Sequence, residues 1–222
     1  MKNFLNRFFR KWGYVRKLAH PITRKQFFDL YFSQIDPKEF FFVQIGASDG
    51  KLADPLYPYV MKYGLAGVAI EPLPEIFRKL QKTYQQYPKV RTRNLAVAEK
   101  SGLMRFYSPK SNELSLSTLA SLDRESLQKT LRLNMKLGPY ANVNEFITSQ
   151  EVPTTTFADL MQREYVKKVD LLQIDCEGYD WKILQTIDLG LWKPKIINFE
   201  SALLSEENKR QSRLFLEQTI FL

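Results

Sequence analysis

An apolar run that ends at two closely spaced glycines constrains the fold of this chain more than any other feature. The run covers residues 40–45, and Gly46-Ala47-Ser48-Asp49-Gly50 follows it. A continuous apolar run of this length is typical of a parallel strand that is buried on both faces. Glycines directly after such a strand let the backbone approach a ligand closely. The sequence therefore predicts a parallel sheet with a ligand-binding turn after its first strand.

Segments with strand and helix patterns alternate along most of the chain. The predicted strands cover residues 40–45, 68–70, 90–94, 169–175 and 195–199. The predicted helices cover residues 23–35, 56–63, 74–84, 124–137, 157–165, 179–186 and 206–217. This alternation indicates a doubly wound α/β fold with a mostly parallel sheet. Residues 102–107 either extend the sheet or form a hairpin arm, and residues 219–222 have the pattern of a further strand.

A polar segment interrupts the alternation. Residues 108–151 begin with a stretch rich in serine and threonine and include the helix predicted at 124–137. A lid or substrate-binding segment would lie at such a position, although an ordinary surface excursion fits the pattern equally well. We therefore predict a basic helical arm over residues 1–36 and one α/β domain over residues 37–222, with residues 108–151 as an insertion.

The net charge of +9 is concentrated near the amino terminus. Eight lysines and arginines precede the first acidic residue, Asp29, so the rest of the chain is close to neutral. In residues 1–19 the apolar side chains fall on one half of a helical wheel and most cations on the other. Such a helix packs on the body or a second subunit, or lies on an anionic membrane surface. No nucleic-acid partner is expected, because the basic charge of a nucleic-acid enzyme would surround its cleft.

Cysteine and histidine content excludes two kinds of site. One cysteine, Cys176, rules out an internal disulfide, and one histidine, His20, rules out a Cys/His zinc site. No apolar run approaches the roughly 20 residues that span a bilayer. Arginines and lysines also interrupt any apolar signal-peptide core at the amino terminus. We expect a cytoplasmic protein, with peripheral membrane contact through residues 1–19 as an alternative.

Polar side chains follow the predicted strands where each strand ends. These residues are Glu71, Asn94, Asp175, Glu177 and Glu200. Ligands of doubly wound sheets bind beyond the carboxyl ends of the strands. Glu71 lies 25 residues after Gly46, near the offset of roughly 20 residues at which an acid accepts hydrogen bonds from a ribose diol. The sequence therefore predicts a cofactor that contains a nucleoside.

Asp49 bears on which nucleoside cofactor is bound. A pyrophosphate cofactor favours Gly-x-Gly-x-x-Gly leading into a helix, whereas this turn reads Gly-Ala-Ser-Asp-Gly. The Asp49 carboxylate would repel a phosphate and would suit a cationic amino or sulfonium group, which S-adenosylmethionine carries. The alternative is that Asp49 only caps the turn.

Three blocks of the sequence resemble the signature blocks of FkbM-family methyltransferases. The blocks are residues 42–50, residues 71–74 with Phe77 and Leu80, and residues 170–180. The similarity extends over about residues 40–204. It implies a class I, Rossmann-like methyltransferase fold that binds S-adenosylmethionine and commonly methylates a hydroxyl oxygen of a sugar or polyketide-like acceptor. It also implies that Glu71 contacts the ribose, and that Gly46, Asp49 and Gly50 contact the methionine end.

The resemblance and the strand-end pattern together define the predicted site. The predicted cofactor-binding residues are Gly46, Ala47, Asp49, Gly50, Glu71, Asn94 and Ala96. The predicted catalytic residues are Asp175 and Glu177, which lie in the methyl-transfer region of the family. A carboxylate is the expected base because His20 lies in the arm, although Glu177 could simply cap backbone donors. A divalent cation at this pair is left open, and no metal ligands are assigned.

Two departures from the family pattern are expected to matter. Gln44 stands where many family members have an acid, so the contact to the amino end of the cofactor is weakened or supplied by Asp49. Class I methyltransferases also close their sheet with a sixth and a seventh strand. We expect that part of these C-terminal strands is missing, or that a partner covers the fifth strand.

The predicted function is S-adenosylmethionine-dependent O-methylation of a hydroxyl on a sugar, a glycan or a secondary metabolite. Two alternatives remain from the sequence. The first is a truncated, non-catalytic binding module, and the second is a nicotinamide-binding Rossmann protein. A small-molecule or glycan acceptor is the expected partner, and a homo-oligomer is left open.

Overall fold

The computed structural model describes residues 23–111, 116, 118–138 and 140–220 of the chain. The amphipathic helix predicted over residues 1–19 lies outside these ranges. Within them, no helix combines the length and apolar character that crossing a membrane would need.

A five-stranded parallel sheet forms the centre of the fold. The strands of the protein are β1 (Phe41–Ile45), β2 (Ala66–Ile70), β3 (Val90–Arg93), β4 (Ala96–Val97), β5 (Gly102–Pro109), β6 (Ile147–Thr155), β7 (Leu171–Ile174) and β8 (Ile196–Phe199). The central sheet has the order β3-β2-β1-β7-β8, and every pairing in it is parallel. Ile45 pairs with Ile70 on one side and Ile174 on the other. The residues that follow these three strands therefore meet at one edge, as the predicted doubly wound, Rossmann-like fold requires.

Helices cover both faces of this sheet. They are α1 (Arg24–Phe32), α2 (Tyr57–Tyr63), α3 (Pro74–Tyr84), α4 (Arg124–Asn134), α5 (Phe157–Arg163), α6 (Asp180–Gln185), α7 (Leu189–Trp192) and α8 (Glu206–Ile220), with short 3₁₀ helices at Pro37–Glu39 and Val143–Phe146. Alternate side chains of β1 point to opposite faces. Val43 packs in a core cluster with residues of α5 and α6, whereas Phe42 packs in a second cluster with residues of α1 and α2.

A smaller sheet lies beside the central one. Strand β5 pairs antiparallel with β6, and β6 pairs parallel with β4, so these three strands form a sheet of their own. Of the two arrangements predicted for residues 102–107, extension of the central sheet is wrong; the segment instead pairs antiparallel with β6, which follows the insertion helix α4. Strand β6 begins inside the predicted insertion, so residues 108–151 contain the end of β5, helix α4 and the first part of β6.

Helix α1, which the sequence assigns to the basic arm, packs against the central sheet. Thr23 caps it, because the Thr23 Oγ1 accepts a hydrogen bond from the Gln26 N–H at 3.2 Å and the Gln26 side chain accepts one from the Thr23 N–H at 2.8 Å. Three aromatic residues of α1 are buried: Phe28, Tyr31 and Phe32. The first helix of the described chain is therefore part of the domain core.

Strand β8 is an edge of the central sheet among the described residues. Helix α8 follows it and continues through Ile220, so the strand predicted from Thr219 is wrong for the residues that the structure describes. Thr219 donates its hydroxyl hydrogen bond to the Phe215 carbonyl oxygen at 2.7 Å, and Phe215 packs edge-on against Trp181. Packing on α6 thus keeps this segment helical.

Candidate active site

A cleft opens at the carboxyl edge of the central sheet, between the ends of β1, β2 and β7. It has about 540 Å³ of space, part of which is open to solvent. Its walls also include the start of α3, the segment from β3 to β4 and part of the insertion. The polar residues that line it include Ser48, Glu71, Thr118, Asp175 and Tyr179.

Two backbone groups hold Glu71 in the wall of the cleft. Its side chain is buried, at 7% exposure. The Oε2 atom accepts a hydrogen bond from the Ser48 N–H at 3.1 Å, and Oε1 accepts one from the Leu73 N–H at 2.9 Å. Burial raises the pKa of Glu71 to about 7, although both hydrogen bonds act in the opposite direction. Each oxygen keeps a second lone pair, so Glu71 can accept hydrogen bonds from two adjacent hydroxyl groups.

The turn after β1 brings the backbone against the end of β7. Gly46 has a φ of 80°, and a Cβ at this position would lie 1.8 Å from the Asp175 carbonyl oxygen. Glycine is therefore required both by the conformation and by the contact. Ser48 lines the cleft, and its Oγ is buried without a hydrogen-bond partner among the described residues. The sequence reasoning missed Ser48, although a small polar residue between two turn glycines is a usable signal.

Ala47, Asp49 and Gly50, also predicted to bind the cofactor, do not line the cleft in this structure. Ala47 is buried in the core. The Asp49 Oδ1 accepts hydrogen bonds from the N–H groups of Lys51 and Leu52, at 2.9 and 2.8 Å, and so caps the turn. A Cβ on Gly50 would lie 2.6 Å from a side-chain atom of α3. These three residues shape the turn that presents Gly46 and Ser48.

Asn94 and Ala96 follow β3. The Asn94 Nδ2 donates hydrogen bonds to the carbonyl oxygens of Glu71 and Pro72, both at 2.9 Å. Asn94 therefore holds the backbone of the loop that carries Glu71. Ala96 lines the cleft directly. The structure thus brings Gly46, Glu71 and Ala96 together at the cleft.

A cluster of three carboxylates lies at the ends of β7 and β8 and consists of Asp175, Glu177 and Glu200. One oxygen of each lies within 4.8 Å of the others. Burial, together with the negative charges of Glu200, Asp175 and Asp180, raises the pKa of Glu177 to about 8. A carboxyl group of this kind exchanges protons near neutral pH and can act as a general base or acid.

The same three carboxylates are the set that could hold a metal ion. Among the residues that the structure describes, no other group of three His, Cys, Asp or Glu side chains is close enough to share one. Oxygen ligands of this type suit Mg²⁺. Burial also raises the pKa values of Asp175 and Glu200, and the positive charge of Arg24 offsets only part of this rise.

Asp180 holds the loop between β7 and α6 in place. It is fully buried, and its Oδ2 accepts hydrogen bonds from the N–H groups of Cys176 and Gly178 at 3.3 and 3.2 Å. Its Oδ1 accepts one from the Glu200 N–H at 3.2 Å. Burial raises the pKa of Asp180 to about 7. The side chain therefore fixes Glu177 and Glu200 relative to each other, a role that the sequence reasoning missed.

The insertion lies against this loop and contributes to the cleft. Its lining residues are Thr118, Ala120 and Leu122. The Ser121 hydroxyl donates a hydrogen bond to the Cys176 carbonyl oxygen at 3.1 Å. Asp123, which caps α4, forms an ion pair with Lys182 of α6 at 3.3 Å. The start of α4 is thus tied to the loop that carries Glu177.

Gln44 lies behind the cleft and supports a neighbouring loop. It is buried, and its side chain forms a hydrogen bond with Asp54. The Asp54 Oδ1 accepts a second hydrogen bond from the Leu56 N–H at 2.7 Å, and burial raises the pKa of Asp54. Gln44 is not among the residues that line the cleft. In this structure it anchors the chain between β1 and α2.

The comparison with protein families matches most of the chain. Residues 44–219 match the model of the Methyltransferase FkbM domain, and this range contains every predicted site residue. The curated proteins give no match. Among solved structures, the chain is similar to the X-ray structure of YjhP from E. coli, with 11% identity over 71% of this chain and 69% of that chain. The TM-score of 0.27 is too low for that similarity to carry an argument.

Proposed function

The chain belongs to the FkbM methyltransferase family, and we propose that it transfers the methyl group of S-adenosylmethionine to a hydroxyl oxygen. The proposed acceptor is a sugar, a glycan or a secondary metabolite. The proposal is supported by a cleft that has Glu71 in one wall and Asp175 in another, with Glu177 and Glu200 close to Asp175.

The observation that carries the proposal is the arrangement of Glu71 and Ser48. The Glu71 carboxylate faces the cleft with one lone pair free on each oxygen, which matches the two adjacent hydroxyl groups of a ribose. The buried Ser48 Oγ lies in the same wall and has no partner among the described residues. Buried polar atoms are usually satisfied, so an unpaired one in a cleft supports a bound ligand.

The charge of the cleft supports a cationic cofactor. Glu71, Asp175, Glu177 and Glu200 are all acidic and lie at one edge of the sheet. In their ionised forms these acids would repel a pyrophosphate, whereas a nearby ammonium or sulfonium group would favour the ionised forms and be attracted to them. S-adenosylmethionine, when bound, supplies a methyl group activated by the positive charge on sulfur.

Glu177 is the base that we propose. Its raised pKa of about 8 suits a group that must take a proton near neutral pH. As the acceptor oxygen bonds to the methyl carbon and the carbon–sulfur bond breaks, Glu177 would receive the hydroxyl proton. Such a base contributes roughly 10²–10⁴-fold to the rate. Asp175 lies within reach of both Glu177 and the cleft, where it would stabilise the positive charge of the cofactor.

Calorimetric titration with S-adenosylhomocysteine and with NADH tests this function. We expect the protein to bind S-adenosylhomocysteine and not NADH. The Glu71→Ala variant should bind S-adenosylhomocysteine about tenfold or more weakly, because charged hydrogen bonds to the ribose are lost. Binding of NADH alone would indicate the nicotinamide alternative, and binding of neither ligand would favour a non-catalytic module.

Two variants control for the structural role of Glu71. Glu71→Gln keeps the shape of the side chain and one acceptor oxygen, so it should weaken binding less than Glu71→Ala. Glu75→Ala removes an exposed acid of α3 and should leave the affinity unchanged. If Glu71→Ala binds S-adenosylhomocysteine as tightly as the unmodified protein, Glu71 does not contact the ligand.

A further inference from the structure

We propose that a polar groove beside the cleft binds a negatively charged saccharide unit of the methyl acceptor. The groove lies between the start of α3 and the paired strands β5 and β6, and it has about 1200 Å³ of space, part of which is open to solvent. The inference rests on the proposed function and deepens it, because it assigns a second binding surface and a charge to the acceptor.

The groove adjoins the cleft along α3 and β5. Ile76 of α3 lines both of them. On β5, Phe106 lines the cleft and Ser108 lines the groove. Residues two apart in a strand point to the same face of a sheet, so one continuous face leads from the cleft into the groove. A chain of sugar units with its reacting hydroxyl in the cleft can therefore continue along this face.

The side chains that β5 and β6 contribute suit the hydroxyl groups of a saccharide. Hydroxyl and amide side chains both donate and accept hydrogen bonds, as sugar hydroxyls do. Strand pairing sets Thr148 opposite Ser108 and Gln150 opposite Phe106, so these side chains share the face that leads from the cleft. The groove residues of this kind are Ser108, Ser111, Thr148, Ser149 and Gln150.

Two cations give the groove a positive charge. Arg78 of α3 and Lys110, directly after β5, both line it and are exposed. Among the residues that the structure describes, neither side chain has an ion-pair or hydrogen-bond partner. Glu75 is the single acid among the described lining residues. Guanidinium and ammonium groups form strong hydrogen bonds with carboxylates and phosphates, so the groove suits a saccharide that carries one of these anions.

The opposite charges of the groove and the cleft would orient such an acceptor. The cleft is lined by the acids Glu71 and Asp175, which repel an anion when they are ionised, whereas the groove attracts one. Complementary charge of this kind fixes the register of a ligand on its binding surface. The anionic unit would therefore lie in the groove, and a neutral unit would present its hydroxyl group in the cleft.

Backbone contacts hold both walls of the groove before any ligand binds. The Leu73 N–H, at the start of α3, donates to Glu71 Oε1 at 2.9 Å, which also ties this wall to the cleft. On the other wall, the Lys110 N–H donates to the Phe146 carbonyl oxygen at 2.8 Å, next to the pairing of β5 with β6. Only exposed side chains have to become ordered around a ligand, which limits the entropic cost of binding.

Calorimetric titration with three trisaccharides tests the inference. The probes are neutral maltotriose, a trimer of galacturonic acid and a phosphorylated maltotriose, each added to the full chain in the presence of S-adenosylhomocysteine. We expect one or both of the anionic probes to bind, which also identifies the preferred anion, and maltotriose to bind at least about tenfold more weakly. The double variant Arg78→Gln/Lys110→Gln should bind the anionic probes about tenfold or more weakly. Its affinity for S-adenosylhomocysteine should stay within about twofold.

A second double variant provides a matched control. Lys79 and Arg105 are exposed cations of α3 and β5 that do not line the groove, so Lys79→Gln/Arg105→Gln should leave the affinity for the anionic probes unchanged. Equal losses in the two double variants, or binding of neither anionic probe, would overturn the role of the groove. Inorganic phosphate that binds as tightly as the anionic trisaccharides would also overturn it, because the hydroxyl groups would then contribute nothing.

The same titrations separate this inference from the proposed function. If the unmodified protein binds S-adenosylhomocysteine but no anionic trisaccharide, the groove is not an acceptor site and the proposed function stands. If the unmodified protein does not bind S-adenosylhomocysteine, the proposed function fails, and the assignment of the groove to a methyl acceptor fails with it.

Discussion

Glu177 occupies an unusual backbone conformation at the point where the chemistry is proposed. Its φ of 51° lies in the left-handed region, next to Gly178 at 93°. Side chains other than glycine adopt this region at a cost, and such residues often occur at functional sites. The hydrogen bonds that Asp180 accepts from the same loop hold this conformation in place.

We expect methyl transfer to rise with pH and to level off above about pH 8, because Glu177 acts as a base only when ionised and its pKa is about 8. Glu177→Gln should lower the rate roughly 10²–10⁴-fold and remove that pH dependence. Transfer of a labelled methyl group to a panel of sugars and phenols measures the rate. The affinity for S-adenosylhomocysteine is the control and should stay within about twofold. A variant with an unaltered rate and pH profile would exclude Glu177 as the base.

At the scale of secondary-structure elements, the close contact between the ends of β1 and β7 should contribute to stability. Alanine substitutions at three glycines test this contribution. We expect Gly46→Ala to lower the free energy of unfolding by about 3 kcal/mol or more, because its Cβ would meet the Asp175 carbonyl oxygen. Gly64→Ala should cost about 1–2 kcal/mol, since its φ is 60° but the space around it is open. Chemical denaturation measures both values.

Gly138 is the matched control for this series. A Cβ there meets nothing within 4 Å, and its φ is not in the left-handed region, so Gly138→Ala should change stability by less than about 0.5 kcal/mol. Equal stability of the Gly46 and Gly138 variants would show that the two strand ends can separate without cost.

Local sequence patterns were enough to predict the strands that are buried and the helices that begin at a capping residue. The five central strands are confirmed within a few residues at their ends. Most of them are apolar runs between turn residues, whereas β3 has only one apolar residue, Val90. Thr156 caps α5, a position that threonine favours: its Oγ1 accepts a hydrogen bond from the Asp159 N–H at 3.1 Å. Strand β6 was not predicted, and its first part, residues 147–151, has no strand pattern in the sequence. That part of the strand is largely polar and exposed, and it is held mainly by backbone pairing with β5.

The residues of the candidate site also fall into those that the sequence could predict and those that it could not. Residues that follow a strand, such as Glu71 and Asp175, could be placed because parallel strands end at one edge. The hydrogen bonds of Asp180 and the burial of the Ser48 hydroxyl depend on how the loops fold over each other. Such contacts join residues that are far apart in the sequence, so they produce no recognisable motif or residue spacing.

At the scale of the whole molecule, the buried acids make stability depend on pH. Burial raises the pKa of Glu71 to about 7, above its ordinary value of 4.5, so the folded protein holds this proton more tightly than the unfolded chain. The resulting stabilisation is complete below about pH 4.5 and is lost as the pH rises through about 7. Asp180 and Glu177 act in the same direction.

We therefore expect the free energy of unfolding in the absence of ligand to fall between about pH 5 and pH 8.5, with Glu71 contributing about 1–3 kcal/mol. Urea denaturation across this range measures the effect. Glu71→Gln cannot ionise and should show a shallower decline than the unmodified protein. Stability that stays level or increases over this range would contradict the assignment of these raised pKa values.

The packing of α1 has a practical consequence for protein production. The family match begins at residue 44, so a shortened protein designed from that boundary would lack the helix altogether. It would also lack Phe40 and most of β1, and it would expose the ring of Tyr59, on which Phe28 and Phe32 now pack. Exposed aromatic surface of this kind promotes aggregation. An expression boundary at or before Thr23 keeps the folding unit whole.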